Sequence, residues 1–532
     1  MGRFFNTAGP CRPEWHYMVP AAERLSEVPW LVDKLGYFVV HAPRQTGKTT
    51  ALRAIASELT ASGGYAALAF SCEGGRAAGD DYEATQRAVL DEIRISASAA
   101  LPGELQPPQW PQVSSASLLR AGLAAWATVC PRPLVLFFDE IDALSGASLY
   151  SVLGQLRAGY DARPDAFPAS VGLCGLRDVR DYKAASGGDS SRLLSASPFN
   201  IKLKSLRLGD FSVEEVATLY GQHVAETGQV FTDAGVEFAF ELTRGQPWLV
   251  NALANEVVAE MGVPSEEAIG PRRLEVAKER LIRARATHLD SLAAKLVEPR
   301  VRRVVEPLIT GEDDGAEARQ SLDDTYDDDA SYLRDLGLVS QGRPLRVANP
   351  IYREVIPRVL GGRVEDRVTQ DPRSFVRDDG RFDFRLLLTE FVSFWKQHGE
   401  VLTEREAYHE AAPQLVLMAF LHRIVNGGGF IDREYGVGRG RIDLCVRWPF
   451  QDAVGKRVFQ REAMELKVWR DNRADPLAEG LGQLDDYLDR LELGTGVLVI
   501  FDRRAGAKPL CERVVFDTAQ TPADREVTVL RL

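Results

Sequence analysis

Residues 37–50, Tyr-Phe-Val-Val-His-Ala42-Pro43-Arg44-Gln45-Thr46-Gly47-Lys48-Thr49-Thr50, decide the fold. A short apolar run, YFVVHA, ends in a turn. A stretch with helical spacing, TTALRAIASELTAS, follows and stops at Gly63-Gly64. The turn fits G-x-x-x-x-G-K-[ST] except at its first position, where Ala42 stands for glycine. Backbone N–H groups of such a turn point at a β-phosphate, and the following helix N-terminus adds positive potential. Lys48 is the candidate for the β- and γ-phosphates, and the Thr49 hydroxyl for Mg²⁺. Gly47 lets the backbone come close to the phosphate. Pro43, Arg44, Gln45, Thr46 and Thr50 complete the expected nucleotide-binding stretch. A methyl group at Ala42 is tolerable if its φ stays negative.

A second element supports the first. PLVLFFDE ends an apolar run in Asp139 and Glu140. Asp139 is expected to hold Mg²⁺ through water, and Glu140 to polarise the attacking water. The next apolar run, SVGLCG, leads to Arg177 and Asp178, and Arg177 is the candidate γ-phosphate sensor. Arg192, ahead of a following strand, is the candidate arginine finger toward a neighbouring subunit. Short, nearly continuous apolar runs at Tyr37–Ala42, Tyr65–Ser71, Leu134–Phe138 and Ser170–Gly175 are what buried parallel strands look like. Alternating with helical stretches, they predict an α/β fold: a parallel-sheet P-loop core with helices on both faces.

Bulk properties frame the rest. The chain has 532 residues, 45% hydrophobic and 26% charged, with a net charge of -12, which predicts several soluble domains and excludes a globally basic coat for nucleic acid. None of the six cysteines forms a C-x-x-C pair, so neither a zinc ribbon nor a disulfide framework is expected. No run approaches the roughly 20 apolar residues that span a bilayer, and the first residues lack a signal-peptide pattern and a myristoylation signal. A cytoplasmic location without membrane contact is the expectation. The histidines show no H-E-x-x-H, and no G-x-S-x-G elbow occurs. Trp248 and Trp395 lie at helical spacing among apolar residues, which predicts core positions.

Ser212 and Glu215 read as a capping box opening a helical region that runs to about residue 285. Segment 286–360 combines helices with a short hairpin, RPLRVAN. Gly361–Asp383, rich in Arg, Asp and Gly, reads as a linker. Helices follow, then strands FIDREYG, RIDLCVRW and VFQREAMELKVW, a helix LAEGLGQLDDYLDRLEL and a final strand GVLVIFD. The expected domains are 1–206, 207–285, 286–360, a linker over 361–385, and 386–532.

With those motifs in place, residues 1–360 resemble the AAA-like and STAND-type P-loop ATPases of bacteria and archaea. The resemblance rests on DEID, GLRDVRDY, GQPWLVNALA and YLRDLGLVS…VANPIYREVI. It implies an ATPase core, a helical lid, a winged helix and a nucleotide-controlled switch. The Gly245-Gln246-Pro247 turn matches the lid's G-x-P turn, with Pro247 near the nucleotide.

The second constellation is GRGRIDLCV followed by AMELKVW. In a β-strand Glu465 and Lys467 point the same way, and Asp443 joins them if the two strands pair. Two carboxylates can hold a divalent metal near a phosphodiester while a lysine orients water or stabilises developing charge. These charges sit inside otherwise apolar strands, where unpaired charge is costly. Arg433, Arg439 and Arg441 cluster near the first strand as candidate phosphate contacts. Residues 386–532 resemble the PD-(D/E)XK nuclease superfamily, a restriction-endonuclease-like α/β fold. The resemblance implies Asp443 and Glu465 as metal ligands and Lys467 as a catalytic residue. It also points to Gln483 and Tyr487 as a Q-x-x-x-Y pair and Glu410 as the extra acid some members use. Together these readings predict ATP and Mg²⁺ as cofactors, DNA as partner, a homo-oligomer as one assembly, and ATP-regulated DNA cleavage, with defence against foreign DNA as its setting. The alternative is an ATP-controlled DNA- or protein-binding switch with a non-cleaving nuclease-like domain.

Overall fold

The computed structural model of the chain describes residues 2–177, 199–284, 289, 292, 294–296, 298–310, 328–360, 371–404, 412–425, 428–437, 440–452 and 454–532. The chain divides into two compact units, Met1–Asp290 with Asp323–Ile351, and Ser291–Leu322 with Tyr352–Leu532. Segment 286–360, read as one winged helix, supplies residues to both.

The first unit is built on strands β1 (Tyr37–His41), β2 (Ala66–Ser71), β3 (Leu134–Asp139), β4 (Ser170–Gly175) and β5 (Lys202–Arg207), in the order β2-β3-β4-β1-β5. Their pairings are parallel throughout. All residues of β3 and β4 are buried, as continuous apolar runs require when both sheet faces are covered. The period of two is visible in β1. Tyr37 and Val39 pack with helices α2 (Tyr82–Ala100), α3 (Leu118–Val129) and α4 (Gly146–Gly159). Phe38 and Val40 pack with α1 (Lys48–Ala61).

Helices α5 (Val213–Thr227), α6 (Asp233–Thr243), α7 (Pro247–Asn255) and α8 (Pro271–Arg283) follow. The Ser212–Glu215 capping box opens α5 as expected. Part of the N-terminal segment, which shows no periodicity of its own, packs on this helical part. Phe5 is buried among the rings of Tyr17, Tyr220, His223 and Phe231, and Gln222 bonds the Met18 backbone on both sides. Helix α9 (Pro299–Thr310) belongs to the second unit. Helix α10 (Asp328–Leu336) and a hairpin bridged at Val339 and Val347 belong to the first, and α11 (Pro350–Leu360) comes next in the chain.

The second unit carries helices α12 (Phe384–Glu404), α13 (Ala412–Val425) and α14 (Leu477–Leu491). Its sheet has the order β10-β11-β9-β8-β7-β6, with β6 (Phe430–Val437), β7 (Gly440–Gln451), β8 (Arg457–Trp469), β9 (Val497–Asp502), β10 (Val515–Gln520) and β11 (Glu526–Arg531). Strands β6, β7 and β8 are antiparallel neighbours, and β8 pairs with β9 in parallel. Helices α12 and α13 cover one face, and α14 covers the other.

Two expectations are corrected. β9 is not the last strand, because β11 pairs with it in parallel and β10 with β11. VFDTAQ is mostly exposed and polar, so its period-two signal carries little hydrophobicity. The end of the stretch read as a linker is also packed rather than free. Phe375 and Phe382, the apolar residues in an Arg/Asp/Gly-rich stretch, are buried in the core of the second unit.

Candidate functional site

The P-loop leaves β1 at the C-terminal edge of the parallel sheet, where open α/β sheets present ligand sites. Its backbone enters the left-handed region twice, at Gln45 (φ 60°) and Gly47 (φ 90°). Gly47 needs to be glycine for that dihedral, and a Cβ there would lie 3.4 Å from Arg24 Nη1. Ala42 is buried outside the left-handed region, so the one departure from the motif is sterically harmless. Lys48 Nζ donates to the carbonyls of Ala42 and Pro43 at 2.8 and 2.7 Å. An ammonium has three protons, so one remains for an anion. Burial lowers the pKa of Lys48. Helix α1 has no side-chain cap at its N-terminus, which leaves its first N–H groups for a ligand. Thr46 Oγ1 closes the loop on Pro43 O at 2.9 Å.

The β3 acids meet this loop. Thr49 Oγ1 donates to Asp139 Oδ2 at 2.5 Å, so the two candidate Mg²⁺ ligands stand side by side. Glu140 sits in the left-handed region (φ 54°), and its Oε2 accepts from Ser71 Oγ at 2.5 Å. Ser71 is the register partner of Asp139 on β2. It was missed in the sequence, although a polar residue closing an apolar strand is the same signal that revealed Asp139. Arg177, at the end of the neighbouring strand, lies over the Tyr332 ring of α10 with 3.9 Å to the centroid. Gly337, just after α10, stands so near Pro43 that a Cβ would come within 2.7 Å of its ring. Asp178 and Arg192 lie outside the described residues.

A void of about 680 Å³, partly open to solvent, adjoins the loop at Gln45, Thr46, Gly47 and Thr50. Its far walls are largely apolar: Met18 and Val19 from the N-terminal segment, Leu219 from α5, and Pro247 and Trp248 from α7. Trp248 Nε1 donates to Thr7 O at 2.8 Å and fastens the N-terminal segment to α7. Asn251 also lines the void. Its Nδ2 donates to Pro247 O at 2.8 Å, and its Oδ1 has no partner. Arg24, likewise absent from the sequence reading, donates to Thr46 O at 2.9 Å and to Gly209 O, and stacks on Phe211. It ties the P-loop to the segment entering α5.

In the second unit, Leu444 pairs with Met464, which brings Asp443 beside Glu465. Asp443 Oδ2 accepts from Leu466 N at 2.9 Å. Lys467 Nζ lies 3.5 Å from Glu465 and 3.2 Å from Glu479 on α14. Gln483 Nε2 reaches the same Glu479 oxygen at 3.4 Å, while its Oε1 has no partner. Sequence reading missed Glu479, one helical turn before Gln483. Glu465 is 4% exposed, and its Oε2 has no partner. Burial first, and then the Asp443 charge, push its pKa up to about 8. Burial alone would lower that of Lys467, but Glu465 and Glu479 outweigh it and raise it. Tyr487 packs on the apolar cluster beneath α14. Arg433 and Arg441 fall on β6 and β7, while Glu410 and Arg439 lie outside the described residues. Among the described residues, no three His, Cys, Asp or Glu side chains gather closely enough to hold a metal ion. No described helix is long and apolar enough to cross a membrane.

Residues 38–158 match the ATPase family associated with various cellular activities (AAA). The chain therefore contains an ATP-binding, AAA-type P-loop ATPase domain. No curated protein matches the chain. Among solved structures, a Walker-type ATPase of Pyrococcus abyssi is similar at 15% identity, covering 66% of this chain and 99% of its own, with a TM-score of 0.43. The ORC2 protein of Aeropyrum pernix, in ADPNP–ADP complexes, is similar at 14% identity, covering 65% and 92%, with a TM-score of 0.36. The RuvB Holliday junction branch migration motor of Thermotoga maritima is similar at 17% identity, covering 63% and 93%, with a TM-score of 0.32.

Proposed function

We propose that the chain is an ATP-regulated, Mg²⁺-dependent nuclease acting on DNA. In this reading the triphosphate lies along the P-loop, with the base in the apolar void between the N-terminal segment and α7. Lys48 and the α1 N-terminus neutralise phosphate charge. Thr49 and Asp139, already in contact, would hold Mg²⁺, which supplies charge neutralisation at the transferring phosphoryl group. Glu140, released from Ser71, orients the attacking water. Arg177 moves off Tyr332 to sense the γ-phosphate, and through α10 this couples the nucleotide to the winged helix.

At the other site Asp443 and Glu465 would hold a divalent ion against the scissile phosphate, and Lys467 steadies the water or the developing charge. The observation that carries the nuclease reading is the buried, partnerless Glu465 oxygen beside Asp443 and Lys467. A fold keeps an unsatisfied buried carboxyl group at a cost of about 1–3 kcal/mol, and such sites concentrate where chemistry is done. The rival reading, a nucleotide-controlled binding switch that does not cut, draws on the small acid set.

Incubating the purified protein with plasmid and Mg²⁺, with and without ATP, decides between them. The nuclease reading expects nicked or linear product from wild type and intact plasmid with Lys467→Ala. Equal survival of the plasmid with both proteins would sink it.

A further inference from the structure

Beyond the two sites, the end of the β7–β8 ribbon away from α14 has one covered face and one exposed one. On the covered face, Trp448 packs on Phe382 with ring centroids 4.8 Å apart. Gln460 there exchanges two hydrogen bonds with the Phe382 backbone, and Arg381 stacks on Phe450. Side chains alternate along a strand, so the register neighbours of these residues form the other face. Phe430 stands opposite Arg447, Arg447 opposite Arg461, Pro449 opposite Phe459, and Gln451 opposite Arg457. These seven positions hold three arginines, two phenylalanines and no acid, in a chain whose net charge is -12.

Their geometry is ordered. The Arg447 guanidinium lies 5.3 Å from the Phe430 ring and 5.6 Å from the Phe459 ring, and the two rings are 6.1 Å apart. Phe459 is 42% exposed, with Arg457 and Arg461 exposed on either side of it. An exposed aromatic flanked by cations suits a polymer that alternates flat bases with phosphates. Bases stack on such rings in a sequence-tolerant way, while arginines follow the backbone.

We propose that this face is a binding track for single-stranded DNA. Bases stack on Phe459, with Phe430 and Arg447 forming its floor, and Arg457 and Arg461 take successive phosphates. The track lies on the face of β7 and β8 that also carries Glu465 and Lys467, about four residues or ~13 Å along β8 from Glu465. It shares the partner class of the proposed function but does not depend on cleavage.

Fluorescence anisotropy of the full chain with labelled oligothymidylate, in EDTA to silence any cutting, tests it. Wild type should bind. Phe459→Leu should weaken binding about tenfold, the size of one lost stacking contact. Arg457→Ala with Arg461→Ala should flatten the dependence of log affinity on log salt by about 1.4, the value for two phosphate contacts to a single strand. Phe516→Ala, an equally exposed aromatic on β10, should leave binding unchanged. Duplex of the same length should show no Phe459 dependence. The track is overturned if wild type does not bind, if Phe459→Leu binds like wild type, if Phe516→Ala weakens binding equally, if the salt slope is unaltered, or if duplex is equally sensitive to Phe459. Intact plasmid in the cleavage assay alongside a Phe459-dependent single-strand affinity would reject the nuclease and keep the track.

Discussion

The P-loop site and the β7–β8 carboxylate site both set acids beside a lysine, but they differ in how those charges are satisfied. At the P-loop, Asp139 meets Thr49 and Glu140 meets Ser71, while Lys48 is held by two carbonyls of its own loop. At the carboxylate site the lysine lies between two acids, and Glu465 keeps a buried oxygen without a partner. The first arrangement is quiet and locally complete. The second stores an electrostatic penalty that a dication would relieve. Substitutions should therefore separate the two sites: at the P-loop they remove activity with little effect on the fold, and at the carboxylates they alter activity and stability in opposite directions.

The largest effect expected is on turnover. Glu140→Gln should lower ATP hydrolysis about 10³-fold, or ~4 kcal/mol of barrier, because the water loses its orienting carboxylate. Binding of a fluorescent ATP analogue should survive. Lys48→Ala should lose the binding itself. Neither should move the thermal unfolding midpoint by more than a few degrees. If Glu140→Gln retains wild-type turnover, the role given to Glu140 is wrong, and with it half of the contrast.

Next comes stability at the other site. Glu465 has its folded pKa raised from 4.5 to about 8, so the folded state holds a proton that the unfolded state has released. Its contribution is full below about pH 4.5 and is lost as pH climbs through 8. Glu465→Gln imitates the protonated form. It should match wild type near pH 4.5 and exceed it near pH 8 by on the order of 2–4 kcal/mol in the second unit, while cleavage disappears. Scanning calorimetry across that range reads the difference. A variant less stable than wild type at high pH would mean that Glu465 is a structural partner rather than a strained ligand.

The same contrast explains what could be read in the sequence. The P-loop is a contiguous run whose glycine, lysine and threonine each have a local geometric reason, and β3 announces its acids by ending an apolar run. Ala42 and the capping box at Ser212 were legible for the same reason. What stayed hidden depended on distant partners. The N-terminal segment shows no periodicity of its own, and only the fold brings Thr7 to Trp248 or Arg24 to Thr46. At the second site, Asp443, Glu465 and Lys467 could be placed because strand alternation is a strong rule. Glu479 could not, because helix α14 has to cross the sheet before its register against Lys467 exists. Strand β10 was lost because it is almost wholly exposed and lacks the alternation that reveals strands, whereas β11 does alternate, with Val527 and Val529 buried, and was overlooked.

Glu479 gives the smallest and most discriminating test. It is half exposed, and its pair with Lys467 spans 3.2 Å at the edge of the site, so Glu479→Gln should change stability by less than ~1 kcal/mol. Its effect should appear in ionisation. Glu479 is one of the acids that raise the pKa of Lys467, so its removal should shift the alkaline limb of the cleavage pH profile to lower pH. Gln483 Nε2 can keep an acceptor in this change, because the new amide oxygen stands where the carboxylate oxygen stood. Glu479→Asp, which keeps the charge on a shorter arm, should restore part of the limb. If the alkaline limb stays where it is in Glu479→Gln, the Lys467 ion pair is an ordinary surface contact. The coupling between α14 and the acid strands would then be packing alone.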